Sequence, residues 1–125
     1  MKTSAHSTRA FTALETTAQL DALVAESNAR PVAIFKHSPT CGTSAQAFDE
    51  LEAYLQAPDA VDVHLVDVLR SRPLSQAIAA TFGVRHESPQ LLLLVDGQVG
   101  WNGSHWRVNG DELRHALRAT GSVRT

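Results

Sequence analysis

The sequence predicts an α/β domain with a central mixed sheet of about four to five strands flanked by helices, and three observations carry that prediction. Apolar runs at residues 32–35 and 91–95, and the Val- and Leu-rich segment 61–68, have the length of inner strands. Helical repeats alternate with the first of them, the pattern of parallel strands joined by right-handed crossovers. Asp96-Gly97 between two apolar runs is a hairpin signal that makes the last strand pair antiparallel.

In chain order, residues 1–10 read as a frayed lead-in, with residues 9–11 as a candidate edge strand. From Thr12, the residues Leu14, Ala18, Leu20, Ala22, Leu23 and Val24 trace a helix that stops near Asn28, because Pro31 cannot continue it. Pro31 introduces the run 32–35, apolar throughout and therefore suited to a strand covered on both faces. Ser38-Pro39 breaks it. Ala45, Ala47, Phe48, Leu51, Tyr54 and Leu55 then return at helical spacing, so a helix begins near residues 40–43 and closes at Ala57-Pro58-Asp59. Val61, Val63, Leu65, Val66 and Val68 mark a second inner strand. Ser71-Arg72-Pro73 opens a helix with Leu74, Ala77, Ile78 and Phe82, ended by Gly83. After the hairpin, Asn109-Gly110-Asp111 opens a last helix with Leu113, Ala116 and Leu117 on one side.

The 125 residues suit one domain, residues 1–125, large enough for a core without staples. Hydrophobic residues at 43% and charged residues at 19% describe an ordinary globular chain rather than a disordered one. A net charge of −2 with no basic tract argues against nucleic acid. The longest apolar run, residues 91–95, is far short of the roughly 20 residues of a membrane helix, so no membrane is expected. The single cysteine excludes an internal disulfide, so any disulfide is made with another molecule. A free thiol and a polar first ten residues without the apolar centre of an export signal set the expectation of a cytoplasmic protein. Six histidines without ligand spacing offer no metal site.

The helix start near residues 40–43 leaves Cys41 at a helix N-terminus. There unpaired N–H groups and the positive end of the helix dipole favour thiolate over thiol, and thiolate is the form that attacks disulfides. A free cysteine more often packs as a small hydrophobe. The neighbours Pro39, Thr40, Gly42, Thr43 and Ser44 are small, polar or turn-forming, which does not describe a core. Thr40, Gly42 and Thr43 are expected to supply shape and backbone donors, Gly42 also letting a partner's backbone come close. The Ser44 hydroxyl either bonds the thiolate or satisfies first-turn N–H groups. His37, four residues before Cys41, reads as a solvated or locally bonded strand-end histidine rather than its activator.

The order β-α-β-α-β-β-α, with a cysteine opening the first crossover helix and an X-Pro before the antiparallel strand, resembles the thioredoxin fold over nearly the whole chain. That resemblance implies a cis Ser88-Pro89 bond in a loop beside Cys41, whereas X-Pro statistics alone favour trans, cis being only about 5%. Three separated words narrow it: Lys36-His37-Ser38-Pro39-Thr40-Cys41, His86-Glu87-Ser88-Pro89-Gln90 and Ser104-His105-Trp106. They are similar to the monothiol bacilliredoxins, the YtxJ-like proteins of bacillithiol-using bacteria, as is Val66-Asp67-Val68 with Arg70 and Ser75. The chain departs from that pattern at Gly42-Thr43, where Pro-Ile is usual.

The resemblance implies thiol–disulfide exchange that removes bacillithiol from S-bacillithiolated proteins. The Cys41 thiolate attacks the bacillithiol sulfur, the protein cysteine leaves, and Cys41 carries bacillithiol as a transient ligand until a recycling thiol reductant regenerates it. No permanently bound cofactor is implied. Counting cysteines independently forces a one-thiol route for any redox enzyme here. His86, Ser88 and Pro89 are candidate substrate contacts, or else hold their loop by local hydrogen bonds. His105 and Trp106 are further candidates at the far end of the sheet, while Trp101 reads as core. Bacillithiol carries a malate group, which needs a cationic or N–H-rich feature; Lys36, Arg85 and Arg107 are available. Two other functions stand beside this one. Cys41-Gly42-Thr43-Ser44 is similar to the Cys-Gly-Phe-Ser motif of monothiol glutaredoxins, which hold a [2Fe–2S] cluster between two subunits. The chain would otherwise be a thioredoxin-fold binding module with an incidental cysteine.

Overall fold

A computed structural model describes residues 9–121. The strands β1 (Thr12–Ala13), β2 (Val32–His37), β3 (Val63–Asp67), β4 (Gln90–Val95) and β5 (Gln98–Ser104) form one sheet in the order β1-β3-β2-β4-β5. β3 lies parallel to β1 and β2; β4 runs antiparallel to β2, and β5 to β4. The helices are α1 (Thr17–Glu26), α2 (Gly42–Tyr54), α3 (Arg72–Phe82) and α4 (Gly110–Ala119), with a 3-10 turn at His105–Arg107. Among the described residues no helix is long and apolar enough to cross a membrane.

The period of two along β2 and β4 divides the core. Ala33, Phe35, Leu91 and Leu93 pack with Ala47, Leu51 and Tyr54 of α2 and Leu113 and Leu117 of α4. Val32, Ile34, Leu92 and Leu94 pack with Leu20 and Leu23 of α1 and Leu74 and Ile78 of α3. Because both faces are covered, all four leucines of β4 are fully buried, which is why its sequence is a continuous apolar run rather than an alternating one.

Boundaries follow local chemistry. The helix expected from Thr12 begins at Thr17 instead, and this corrects the sequence reading. Thr12 and Ala13 pair with His64 and Leu65, so the edge strand lies just beyond the expected residues 9–11. Thr16 then caps α1, its hydroxyl accepting from Gln19 N–H while the Gln19 side chain accepts from Thr16 N–H. Thr16-x-x-Gln19 is a capping box, which the apolar spacing from Leu14 onward does not reveal. Arg9 bonds the Ala60 carbonyl and Asp62; the rest of the expected lead-in, residues 1–8, lies outside the described residues. The hairpin turns on Asp96 and Gly97, both at positive φ (54° and 78°), as a two-residue turn requires. Asp96 N–H and Gly97 N–H bond the Ser27 carbonyl and hydroxyl, fixing the hairpin to the end of α1. Gly103 makes room for Trp101, since a Cβ there would stand 2.7 Å from the indole ring.

Candidate functional site

β2 ends at His37, and the chain turns through Ser38 to Thr40 into α2. Cys41 is the N-cap of α2: its N–H donates to the Ser38 carbonyl (3.1 Å) and its carbonyl accepts from Ala45 N–H (3.0 Å). It is partly exposed and makes no side-chain cap bond. The helix that follows therefore starts with N–H groups that no cap side chain satisfies, which is the arrangement that receives an anion. Thr40 and Gly42 are exposed and Thr43 half-buried. A Cβ on Gly42 would meet nothing within 4 Å, so the space before it is open to a partner.

Ser44 takes neither role expected for it. It is fully buried, and its hydroxyl accepts from Ser38 N–H (3.0 Å) and meets His37 Nδ1 at 2.7 Å. It thus ties the first turn of α2 back onto the loop that carries Cys41. Burial holds His37 below the ordinary histidine range against the opposing pull of Asp67. In neutral His37 with its proton on Nε2, Nδ1 accepts the Ser44 hydroxyl proton. The His37 ring packs against Phe35 (5.4 Å) and Phe48 (5.1 Å), with Phe11 against both phenylalanines. His37 is a packed, locally bonded residue.

One residue earlier, Lys36 points to the α3 face. It is fully buried, and its ammonium donates to the Ser75 carbonyl at 3.2 Å, its one acceptor among the described residues. Burial lowers its pKa to about 8. The Ser75 hydroxyl meets His86 Nδ1 at 3.2 Å. Burial first, then the Lys36 and Arg72 charges, holds His86 below its usual range, against Glu87. Ser75 and His86, but not Lys36 behind them, line a cleft of about 240 Å³ together with Ser38, Leu69, Arg72, Gln76 and Ser88 among others. The Lys36–Gln90 pair in the ladder places the end of β2 and the start of β4 together. The Cys41 loop and the Ser88-Pro89 loop therefore leave the sheet at the same end, Ser38 and Ser88 both reaching the cleft.

The Ser88-Pro89 bond is cis, and Pro89 is buried with its carbonyl accepting from His105 N–H (3.0 Å). His105, at φ 56°, starts the 3-10 turn with Nδ1 3.5 Å from Glu87 Oε1, and that oxygen accepts from the Ser104 hydroxyl. His105 and Trp106 border a small depression with Thr43, Gln46 and Glu50 of α2, and Trp106 is 73% exposed. The five substrate candidates therefore do not form one pocket: His86 and Ser88 face α3, His105 and Trp106 face α2, and Pro89 stands between them. Of the expected cations, Arg107 lies over Trp101 and beside Glu112, and Arg85 is exposed, its carbonyl holding Gln90. Arg72, which borders the cleft, was missed. Ser71-Arg72-Pro73 announced only a helix start, and nothing local said where that start would lie.

With this geometry in view, the comparisons decide the family. The model of the monothiol bacilliredoxin BrxC family matches residues 12–113. The chain belongs to that family. A solved structure described as a candidate oxidoreductase with a thioredoxin fold is 35% identical, with a TM-score of 0.77 over 84% of this chain and 91% of the other. Thioredoxin from Fasciola hepatica is 23% identical (TM-score 0.70, 88% of this chain and 99% of the other). A mutant thioredoxin from Halobacterium salinarum is 21% identical (TM-score 0.69, 91% and 93%). These last two establish the thioredoxin fold alone. With one cysteine, a bacilliredoxin of this fold has a monothiol, thioredoxin-like redox role.

Proposed function

We propose that this bacilliredoxin removes bacillithiol from S-bacillithiolated cytoplasmic proteins, with Cys41 as nucleophile. The observation that carries the reading is the placement of the single cysteine, partly exposed at the N-cap of α2, at the sheet end where the Ser88-Pro89 loop also emerges. The Cys41 thiolate attacks the bacillithiol sulfur of the mixed disulfide. That S–S bond breaks, the substrate cysteine leaves as a thiolate, and a Cys41–bacillithiol disulfide forms with no net oxidation. A recycling thiol then attacks the new disulfide and frees Cys41. The first turn of α2, with Thr40, Gly42 and Thr43, shapes the approach to the sulfur. The Ser38 and His37 bonds of Ser44 hold that turn. The exposed Trp106 with His105 offers the protein half of the substrate an apolar contact.

The test is intact-mass measurement of wild type and Cys41→Ser after mixing with a bacillithiolated test protein. Wild type should gain the bacillithiol mass as the test thiol is freed, and the variant should gain nothing. Bacillithiol left on the test protein by wild type overturns the reading; a brown, cluster-bearing preparation would then favour the glutaredoxin-like function.

A further inference from the structure

We infer that the cleft between α3 and the Ser88 loop is the subsite for the anionic end of the small thiol, with Arg72 as its direct carboxylate contact and Lys36 as a buried charge behind it. The inference rests on the exchange reading above and names where its small-molecule half sits. Although the chain is net negative, no carboxylate lines this cleft. Asp67, the acid at the adjoining end of β3, has its Oδ1 occupied by the Leu69 and Arg70 N–H groups. Arg72 is exposed and, like Arg70, Arg85 and Arg118, has no ion pair among the described residues, whereas Arg9, Arg30, Arg107 and Arg114 each face an acid; of the four unpaired arginines Arg72 is the one that lines the cleft. A free guanidinium at the mouth of a cleft suits a carboxylate, which it can hold with two parallel hydrogen bonds.

Lys36 supplies the second, independent observation. A fully buried ammonium with three donors and one acceptor is under-satisfied and costs stability. An anion in the cleft would offset that cost without touching it, because attraction between charges is strong where water is excluded. Ser75 joins the parts: its carbonyl holds Lys36 and its hydroxyl holds His86 at the wall. Arg72 also opens α3, whose N-terminal dipole end favours the same sign of ligand. The volume, about 240 Å³, is below the roughly 300 Å³ at which whole-ligand pockets begin. It fits one end of a small molecule whose sulfur passes Ser38 and Ser88 toward Cys41. The ligand class is thus a low-molecular-weight thiol carrying one or more carboxylates, and the malate of bacillithiol meets that description.

The experiment follows transfer by intact mass from one test protein bearing either bacillithiol or the same thiol lacking its malyl group. Arg72→Gln should slow transfer of the first about tenfold, the order of a lost charge-assisted hydrogen bond, and leave the second unchanged. Lys36→Met should act in the same sense, slowing only the malyl-bearing substrate. Equal slowing of both substrates places Arg72 against the protein half and overturns the subsite, as does no slowing of either. Failure of wild type to transfer either thiol overturns the exchange reading and the subsite together, so the two failures are told apart.

Discussion

On the α2 face of the sheet, His37 packs against Phe35 and Phe48 and is bonded to Ser44, while on the α3 face, one residue earlier, Lys36 ends its row behind an open cleft. The strand's period of two sends adjacent residues to opposite faces, so one short segment supports the cysteine loop on one side and charges a recess on the other. On the proposed reading, holding the nucleophile and recognising its ligand fall largely to different faces, with Ser38 common to both. A change on the α2 face should be felt first in stability, and a change on the α3 face in substrate choice.

The largest effect tests the packed face. Phe35→Ala should destabilise the domain by about 3–5 kcal/mol, the cost of a large cavity among fully buried neighbours. Urea unfolding measures it, and a loss below about 1 kcal/mol would show that this face is not closely packed.

Next comes Lys36, where the expected sign is reversed. A fall in pKa from 10.5 to about 8 corresponds to about 3 kcal/mol of stability forgone. The unfolded lysine keeps its proton to a higher pH, so the cost is full below pH 8 and disappears as pH rises to 10.5. Lys36→Met should therefore stabilise the protein at pH 7 by up to about 3 kcal/mol less the contribution of the lost Ser75 bond, with the advantage vanishing toward pH 10.5. A destabilised variant at pH 7 would break the contrast between the faces, because Lys36 would then be supporting the fold.

Ser44→Ala should cost less, about 1–3 kcal/mol, by leaving the Ser38 N–H without its acceptor. It should also slow exchange from malyl-bearing and malyl-free substrates alike, since the loop it holds carries Cys41 as well as lining the cleft through Ser38. Slowing confined to one of the two substrates would erase the division of labour.

The smallest effect is in the pH dependence of stability. His37, His64 and His86 are all held below the ordinary value of 6.5, chiefly by burial. The unfolded chain then takes up protons first as pH falls, so stability should decline below pH 6.5 and be full above it. Denaturation midpoints at pH 7.5 and 5.5 measure this, and His37→Gln should flatten the decline. An unchanged slope in that variant would mean that the α2-face histidine is not buried as described.

The fold was largely legible because its signals are local. Apolar runs of strand length, Asp96-Gly97, Gly83 and Asn109 each fix a short segment by backbone chemistry, and the strand order follows from connecting them. The beginning of α1 was misread because Leu14 keeps helical spacing with Ala18 while Thr12 and Ala13 find a strand partner 52 residues away. In the site, the position of Cys41 at a helix start could be read from Ser38-Pro39 and the apolar spacing after it. The partner of Ser44 could not, because a hydroxyl in a first turn has several acceptors and donors within reach and only packing chooses among them.

The sequence by itself determined the one-thiol chemistry, the place of Cys41 at the start of a helix and the words that mark the family, since counting and nearest-neighbour geometry suffice for these. Only the tertiary structure decided which distant residues meet at the end of the sheet where the cysteine loop emerges. It brought Arg72 and Ser75 of α3 to His86 and Ser88 on one face of the sheet, buried Lys36 behind them, and set His105 and Trp106 on the other flank. Crossover connections place distant segments side by side through the burial of whole faces, and that energy is spread over the core rather than written at any one residue.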